Sequence, residues 1–209
     1  GSMSQPSIEK IVELKPDVVF VSFLKPEVTE QIEKAGVKVI QIPAGDSFEG
    51  SYRNMEEIGK ILDRNEEAKK ITDAIKTKIE EVKEKVGAAP KVTAYYVAGF
   101  GETGDYTAGD KTFINDIIDA AGGDNVAKDS EGWKYTSEKL MEKNPEIVFI
   151  GQMAKLADTF KETEPYKNLD AVKNGKVFEV NDNLINREGP RMGEAVEMMA
   201  KVFHPELFR

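Results

Sequence analysis

Gly99-Phe100-Gly101-Glu102-Thr103-Gly104 spells G-x-G-x-x-G directly after an apolar run. That spacing cradles a dinucleotide pyrophosphate when a helix begins at the motif. Here Asp105 to Asp110 intervenes, and Gly109 breaks the run again. Nor does an acidic residue close a second strand at the required distance, since Asp119 and Asp124 lie in or just past a helix. A nucleotide-binding α/β enzyme using the Gly99–Gly104 loop is therefore the alternative reading. Acid–base chemistry has less support. The single His204 stands beside Pro205, where packing or solvation suffices, and the carboxylates are scattered over helical faces. With no Cys and one His, neither a thiolate centre nor a histidine-built metal site is expected. No catalytic residue and no cofactor are expected. A binding chemistry has better residues. Phe100, Tyr106, Trp133 and Tyr135 offer aromatic area, and Arg187 offers a fork for a carboxylate or phenolate. Gln152 and Arg191 complete the expected ligand contacts, although the place of Arg191 near the start of the last helix also suits a structural role.

These side chains need elements to carry them. Ser7 to Leu14 has helical apolar spacing with Ser7 as cap, and Pro16 stops it. Asp17–Ser22 reads as a buried strand, Pro26 opens a helix that Gly36 ends, and Val37–Ile42 is a second strand. This is a βαβ unit with parallel strands. From Ser47 to Val86 apolar residues recur at helical spacing, with a break near Asp63-Arg64-Asn65. The second piece, near Glu66–Val86, would span about 30 Å at about 1.5 Å per residue. Lys91–Ala98 is a strand, Gly99 to Asp110 a glycine-rich loop, and Lys111–Ala121 a helix ended by Gly122-Gly123. Trp133 and Tyr135 sit in a loop. Helical patches near Lys155–Phe160 and Tyr166–Val172 lead to a strand at Lys176–Val180, a loop at Asn181 to Pro190, and a last helix at Arg191–Phe203. Ligands of parallel sheets sit beyond the carboxyl ends of strands. That rule selects the loops at Phe100 to Tyr106, Gln152 with Met153, and Asn183 to Arg191.

Composition limits the partners. The chain has 209 residues, enough for one large or two small domains with a real core, and a net charge of −9. The acidic balance argues against nucleic acid and against an anionic membrane surface. The absence of cysteine excludes disulfides without fixing a compartment. No run is long and apolar enough for a signal peptide or a membrane span. Gly1-Ser2-Met3 reads as the remnant of an expression tag.

The chain also repeats itself. SIEKIVELKPDVVFVS at Ser7–Ser22 lies without a gap over TSEKLMEKNPEIVFIG at Thr136–Gly151. Identities fall at Glu9/Glu138, Lys10/Lys139, Glu13/Glu142, Pro16/Pro145, Val19/Val148 and Phe20/Phe149. Each copy is a short amphipathic helix, a Pro-acidic break and an apolar β-rich run. A repeated helix–strand unit, far apart in one chain, implies two similar lobes, and two lobes offer a cleft. The expected fold class is α/β, with two lobes of parallel-type sheets flanked by helices and joined by a long helix, the N-lobe incomplete. The expected division is an N-lobe fragment at 5–46, a linking helical segment at 47–89 and a C-lobe at 90–209.

Ser7-Ile8-Glu9-Lys10-Ile11 with Leu14-Lys15-Pro16-Asp17-Val18-Val19 resembles a motif of the ABC-transporter substrate-binding proteins of the iron-siderophore, haem and cobalamin type. Tyr106-Thr107-Ala108-Gly109, Phe113-Ile114, Ala121-Gly122-Gly123 with Asn125-Val126, Gly189-Pro190-Arg191 and the ending His204-Pro205-Glu206 fit the same family. The resemblance implies an extracytoplasmic binder, periplasmic or a cell-surface lipoprotein, that takes a metal chelate or macrocycle between its lobes and delivers it to an ABC-transporter permease dimer. It implies that Glu9 and Glu138 dock onto arginines of that permease. Their other role is that of ordinary carboxylates at a helix N-terminus. It also implies that the N-lobe ordinarily begins with a further βα segment, so that a chain without it binds ligand weakly. The strand edge thereby exposed could support a dimer or strand exchange.

Overall fold

The computed structural model describes residues 5–101, 104–130, 132–152 and 155–209. It divides into two compact units, one ending at Gly45 and the other spanning Asp46–Arg209.

In the smaller unit, α1 (Ile8–Glu13) starts where the Ser7 hydroxyl accepts the Lys10 amide N–H. Lys15 turns the chain at φ 47°, and β1 (Val18–Val21) follows. Proline opens α2 (Pro26–Lys34), where its missing N–H costs nothing, and Gly36 at φ 86° ends it. β2 (Lys38–Gln41) then pairs parallel with β1, from Val18 opposite Lys38 to Val21 opposite Gln41. Ile32 on α2 is fully buried. The sequence reads β1 as a buried strand, but it is half-buried along its whole length. Among the described residues its sheet has two strands, so one edge of β1 lacks a neighbour.

The larger unit opens with α3 (Phe48–Ile61), capped by Ser47, and α4 (Asn65–Val86). Asp63 at φ 54° separates them, at the break expected from sequence. The two helices run so close that a side chain at Gly59 would collide with Ala68. α4 buries Ala68, Thr72, Ile75, Ile79, Val82 and Val86, a stripe at alternating three- and four-residue steps. Next come β3 (Val92–Val97), β4 (Asp105–Tyr106), α5 (Phe113–Ala120), β5 (Gly123–Asn125) and β6 (Lys134–Tyr135). They are followed by α6 (Ser137–Lys143), β7 (Ile147–Gly151), α7 (Ala157–Glu162) and α8 (Asp170–Lys173). β8 (Val177–Val180), α9 (Asp182–Ile185) and α10 (Met192–Phe203) complete the unit. Short 3-10 turns lie at Tyr166–Asn168 and Pro205–Phe208.

Four strands form one parallel sheet in the order β5–β3–β7–β8. Helices cover both faces, so β7 is buried at every residue and β3 at its last four. Alternation along the strands divides the core in two. Ala94, Tyr96, Ile147 and Phe149 face the side of α4, α5 and α10. Tyr95, Val97, Val148 and Ile150 face Leu140, Phe160 and Tyr166. The expected loops at Gly99 to Asp110 and around Trp133 and Tyr135 contain β4 and β6, which pair antiparallel. β5 follows Gly122 directly, and α9 occupies part of the expected Asn181 to Pro190 loop. All four are two to four residues long, too short for either apolar period to register. No helix among the described residues is long and apolar enough to cross a membrane.

Candidate functional site

The strand order makes a switch point. The chain leaves β3 toward β5 on one side and returns to β7 on the other, so the crossovers diverge between the carboxyl ends of β3 and β7. Ligands of open α/β sheets bind there. A cavity of about 430 Å³ opens at this place, floored by Val97 and Ala98 at the end of β3 and by Ile150 and Gly151 at the end of β7. Thr112 and Phe113 at the start of α5, Asp182 and Asn186 around α9, and Asp46 and Glu188 supply much of the wall.

Local hydrogen bonds fix this wall. The Thr112 hydroxyl accepts the Asn115 amide at 3.2 Å and donates to the Gly109 carbonyl at 2.7 Å, which starts α5 at the cavity. The Tyr96 hydroxyl donates to Asn186 Oδ1 at 3.1 Å. Burial pushes that phenol above its ordinary pKa, so it remains a donor at neutral pH. The Asp182 carboxylate lies against Gly151, where a side chain would collide with it. Glu188 accepts the Asp46 N–H at 3.1 Å and the Ser51 hydroxyl at 3.4 Å, which holds the 183–191 loop to the start of α3.

Of the expected ligand contacts, Trp133 alone lines this cavity. The residue is 47% exposed, while its carbonyl accepts the Thr107 N–H at 2.9 Å. Tyr135, two residues on, is 6% exposed. Its hydroxyl, with one proton to give, lies 3.2 Å from the Val126 carbonyl and 3.1 Å from the exposed Asp129, and its ring belongs to the core layer of Leu140 and Phe160. Phe100 packs edge-on against Phe160 and Tyr166, both at 5.2 Å. Tyr106 extends β4 beside Gly99. Gln152 is exposed and donates its amide N–H to the Val180 carbonyl. Met153 lies outside the described residues. Arg187 Nε donates to Asn183 Oδ1 at 2.8 Å, and Arg191 Nη2 to the Asn183 carbonyl at 3.1 Å. Both arginines thus brace their own loop. Sequence reasoning missed Asp46 and Asp182, and it selected the loop that holds Asn186 and Glu188 without singling out either residue. Asp182 opens α9 two residues after β8 ends, where the strand-end rule could have found it.

The glycine motif leads into β4, and the next helix starts only at Phe113. Gly99 exchanges backbone hydrogen bonds with Tyr106, Gly101 and Gly104 take φ of 110° and 102°, and the chain enters β4 rather than a helix. Glu102 and Thr103 lie outside the described residues. His204 is 4% exposed, packed beneath Gly122. Among the described residues no group of three His, Cys, Asp or Glu side chains could hold a metal ion.

The internal repeat extends to backbone detail. Glu138 follows its cap Thr136 as Glu9 follows Ser7, and each cap hydroxyl accepts the amide three residues on, at 3.3 Å and 3.4 Å. Asn144 takes the left-handed conformation of Lys15, and β7 begins two residues after Pro145 as β1 does after Pro16. Both glutamates are exposed.

A family model described as periplasmic binding protein matches residues 1–184. The chain is similar to an uncharacterized ABC transporter substrate-binding lipoprotein, YvrC, of Bacillus subtilis, at 26% identity over 97% of this chain and 67% of that protein. It is similar to a cobalamin-binding protein of Halobacterium salinarum, at 30% identity over 98% of this chain and 58% of that protein. The chain therefore spans only 58% of the length of the second relative. Among solved structures, an ABC transporter substrate-binding protein from Listeria monocytogenes superposes with a TM-score of 0.80 at 27% identity, covering 97% of this chain and 82% of that one. The heme-binding protein RhuT from Roseiflexus sp. shares the fold, with a TM-score of 0.84 at 19% identity over 98% and 82% of the two chains.

Proposed function

The chain belongs to the periplasmic binding protein family, and from that premise we propose that it is the substrate-binding component of an ABC importer. Its cargo is an iron complex such as a siderophore or haem, or a related chelate such as cobalamin, and its task is capture and delivery rather than catalysis. The observation that carries the reading is the cavity at the β3–β7 switch point, where this sheet topology places ligands. Trp133 supplies an exposed aromatic face for a flat ligand. The names of the relatives support the cargo range: one binds cobalamin and another, from Staphylococcus aureus, serves high-affinity heme uptake.

The same proposal places the protein outside the cytoplasm and makes the ABC permease its partner. Glu9 and Glu138 are the docking points, supported by their identical place in two identically capped helices. Such exposed charges contribute little affinity and set orientation and encounter rate instead. Deleting the gene and measuring cellular uptake of labelled siderophore, haem and cobalamin tests the function. Loss of uptake of one chelate, restored by the gene in trans, is expected. Unchanged uptake of all three would refute it.

A further inference from the structure

The turn that carries Trp133 is fastened to the sheet by a buried residue one layer behind it. We propose that Thr107 is a positioning residue for ligand recognition: it ties Trp133 to β3 at the cavity, and a bound chelate feels its loss through Trp133. This rests on the reading of the chain as a chelate-binding protein with Trp133 as a contact.

β5 pairs with β3 only as far as Asn125 opposite Ala94. The Ala94 carbonyl faces that side and accepts the Val126 N–H at 3.0 Å. Tyr96, two residues on, presents its carbonyl to the same side, beyond the end of β5. The Thr107 hydroxyl donates to it at 2.6 Å, so a side chain stands where a neighbouring strand would supply an amide. The backbone N–H of the same residue donates to the Trp133 carbonyl at 2.9 Å. Thr107 has no exposure, so both bonds are made away from water. One residue thus joins the carboxyl end of β3 to the turn that carries Trp133. Two further contacts hold the strap at 105–112 in place. Asn125, 2% exposed, donates to the Ala108 carbonyl at 2.8 Å and to Asn115 at 3.1 Å. Gly109 lies so close to Ser130 that a side chain there would collide with its hydroxyl, which donates to the Gly132 carbonyl at 3.1 Å. The residue after Gly132 is Trp133. Binding groups need placement to within about 0.5 Å, and hydrogen bonds behind them supply it. A contact held ready in this way also loses less freedom when ligand arrives.

The test is calorimetric titration of the full chain with haem, cyanocobalamin and ferrioxamine B, continued with the probe that binds. Thr107→Val keeps the bulk of the side chain and the backbone N–H and removes the hydroxyl. It should weaken the probe about tenfold, whereas Thr107→Ser, which keeps the donor, should stay within about twofold of wild type. Trp133→Ala should weaken the probe, and Thr107→Val added to it should cost no further affinity, because the threonine acts through the indole. Trp133 is the single tryptophan, so its emission reports on the turn without ligand. Acrylamide should quench it more efficiently in Thr107→Val than in wild type. Should Thr107→Val not fold, Thr107→Ala, which leaves room for a water at the Tyr96 carbonyl, goes through the same cycle. Unchanged affinity in either single variant, or losses that add in the double variant, would overturn the inference and leave the chelate-binding function standing. Failure of all three probes to bind the wild-type protein would count against that function itself, and unchanged quenching would then refute the tie between Thr107 and Trp133 by a route that needs no ligand.

Discussion

Glu9 and Glu138 stand at the second position of two helices whose caps are a serine and a threonine, each followed three residues on by a lysine amide that its hydroxyl accepts. Replacing the glutamates leaves the caps in place, so the local fold should survive. Glu9→Ala with Glu138→Ala is expected to lower chelate uptake several-fold while calorimetric affinity stays at the wild-type value. Uptake at the wild-type rate would remove the docking role. Phe149 is the opposite case, a side chain with no exposure whose ring meets Phe203 edge-on at 5.4 Å and Phe178 at 6.2 Å. Phe149→Ala should destabilise the protein by about 3–5 kcal/mol, read as a shift in urea midpoint. A loss below about 1 kcal/mol would mean that the core closes around the cavity. The sequence marks Phe149 as core through the unbroken apolar run around it. It does not separate Trp133 from Tyr135: both are aromatic and only two residues apart, yet one lines the cavity and the other lies in the core.

The ion pairs divide into those within one helix and those that join elements. Several ion pairs among the described residues lie within a single helix, as Lys83 with Glu80 on α4 does. Lys78 with Glu197 at 3.0 Å is different, because it joins α4 to α10, and Lys201 adds a second contact at 3.5 Å. The Lys78 hydrogen bond, followed by the Lys78 and Lys201 charges, holds the Glu197 carboxyl below its ordinary pKa. A carboxylate with a depressed native pKa stabilises the fold at neutral pH. That contribution is lost as pH falls below the ordinary value and through the native one. Glu197→Gln should therefore cost at most about 1 kcal/mol at pH 7. The difference from wild type should vanish in acid, as urea midpoints measured across pH will show. A difference that persists in acid would assign the effect to packing. At this scale helices and long strands are legible from sequence. Ser7, Pro26, Ser47 and Thr112 open helices, Gly36 and Gly122 close them, and α4 carries its buried stripe in plain heptad-like steps. β4, β5, β6 and α9 are not legible, because their geometry comes from tertiary pairing rather than from a local period.

The two units of the whole molecule differ in what they can bury. The larger has helices on both faces of its main sheet, with two core layers. The smaller has two strands, and its β1 is half-buried throughout. A chain of about 40 residues is near the lower limit for folding without metals, disulfides or partners. Residues 46–209 expressed alone should melt cooperatively, whereas residues 1–45 alone should show no cooperative transition by circular dichroism. A cooperative melt of the short fragment would show that its core is self-sufficient.

The sequence by itself determined the α/β class, the long helix, the internal repeat and the family, because each is written in local period, capping chemistry or residue order. Only the tertiary structure decided which side chains meet at the cavity. Asp46, Tyr96, Thr112, Trp133, Gly151 and Glu188 come from separate stretches of chain, and strand order together with hydrogen bonds between loops brings them together. Arg187 and Arg191 both donate to Asn183, and Asp46, Asp182 and Glu188 are among the residues that line the cavity, because the direction a loop side chain takes depends on what packs beside it rather than on its own type.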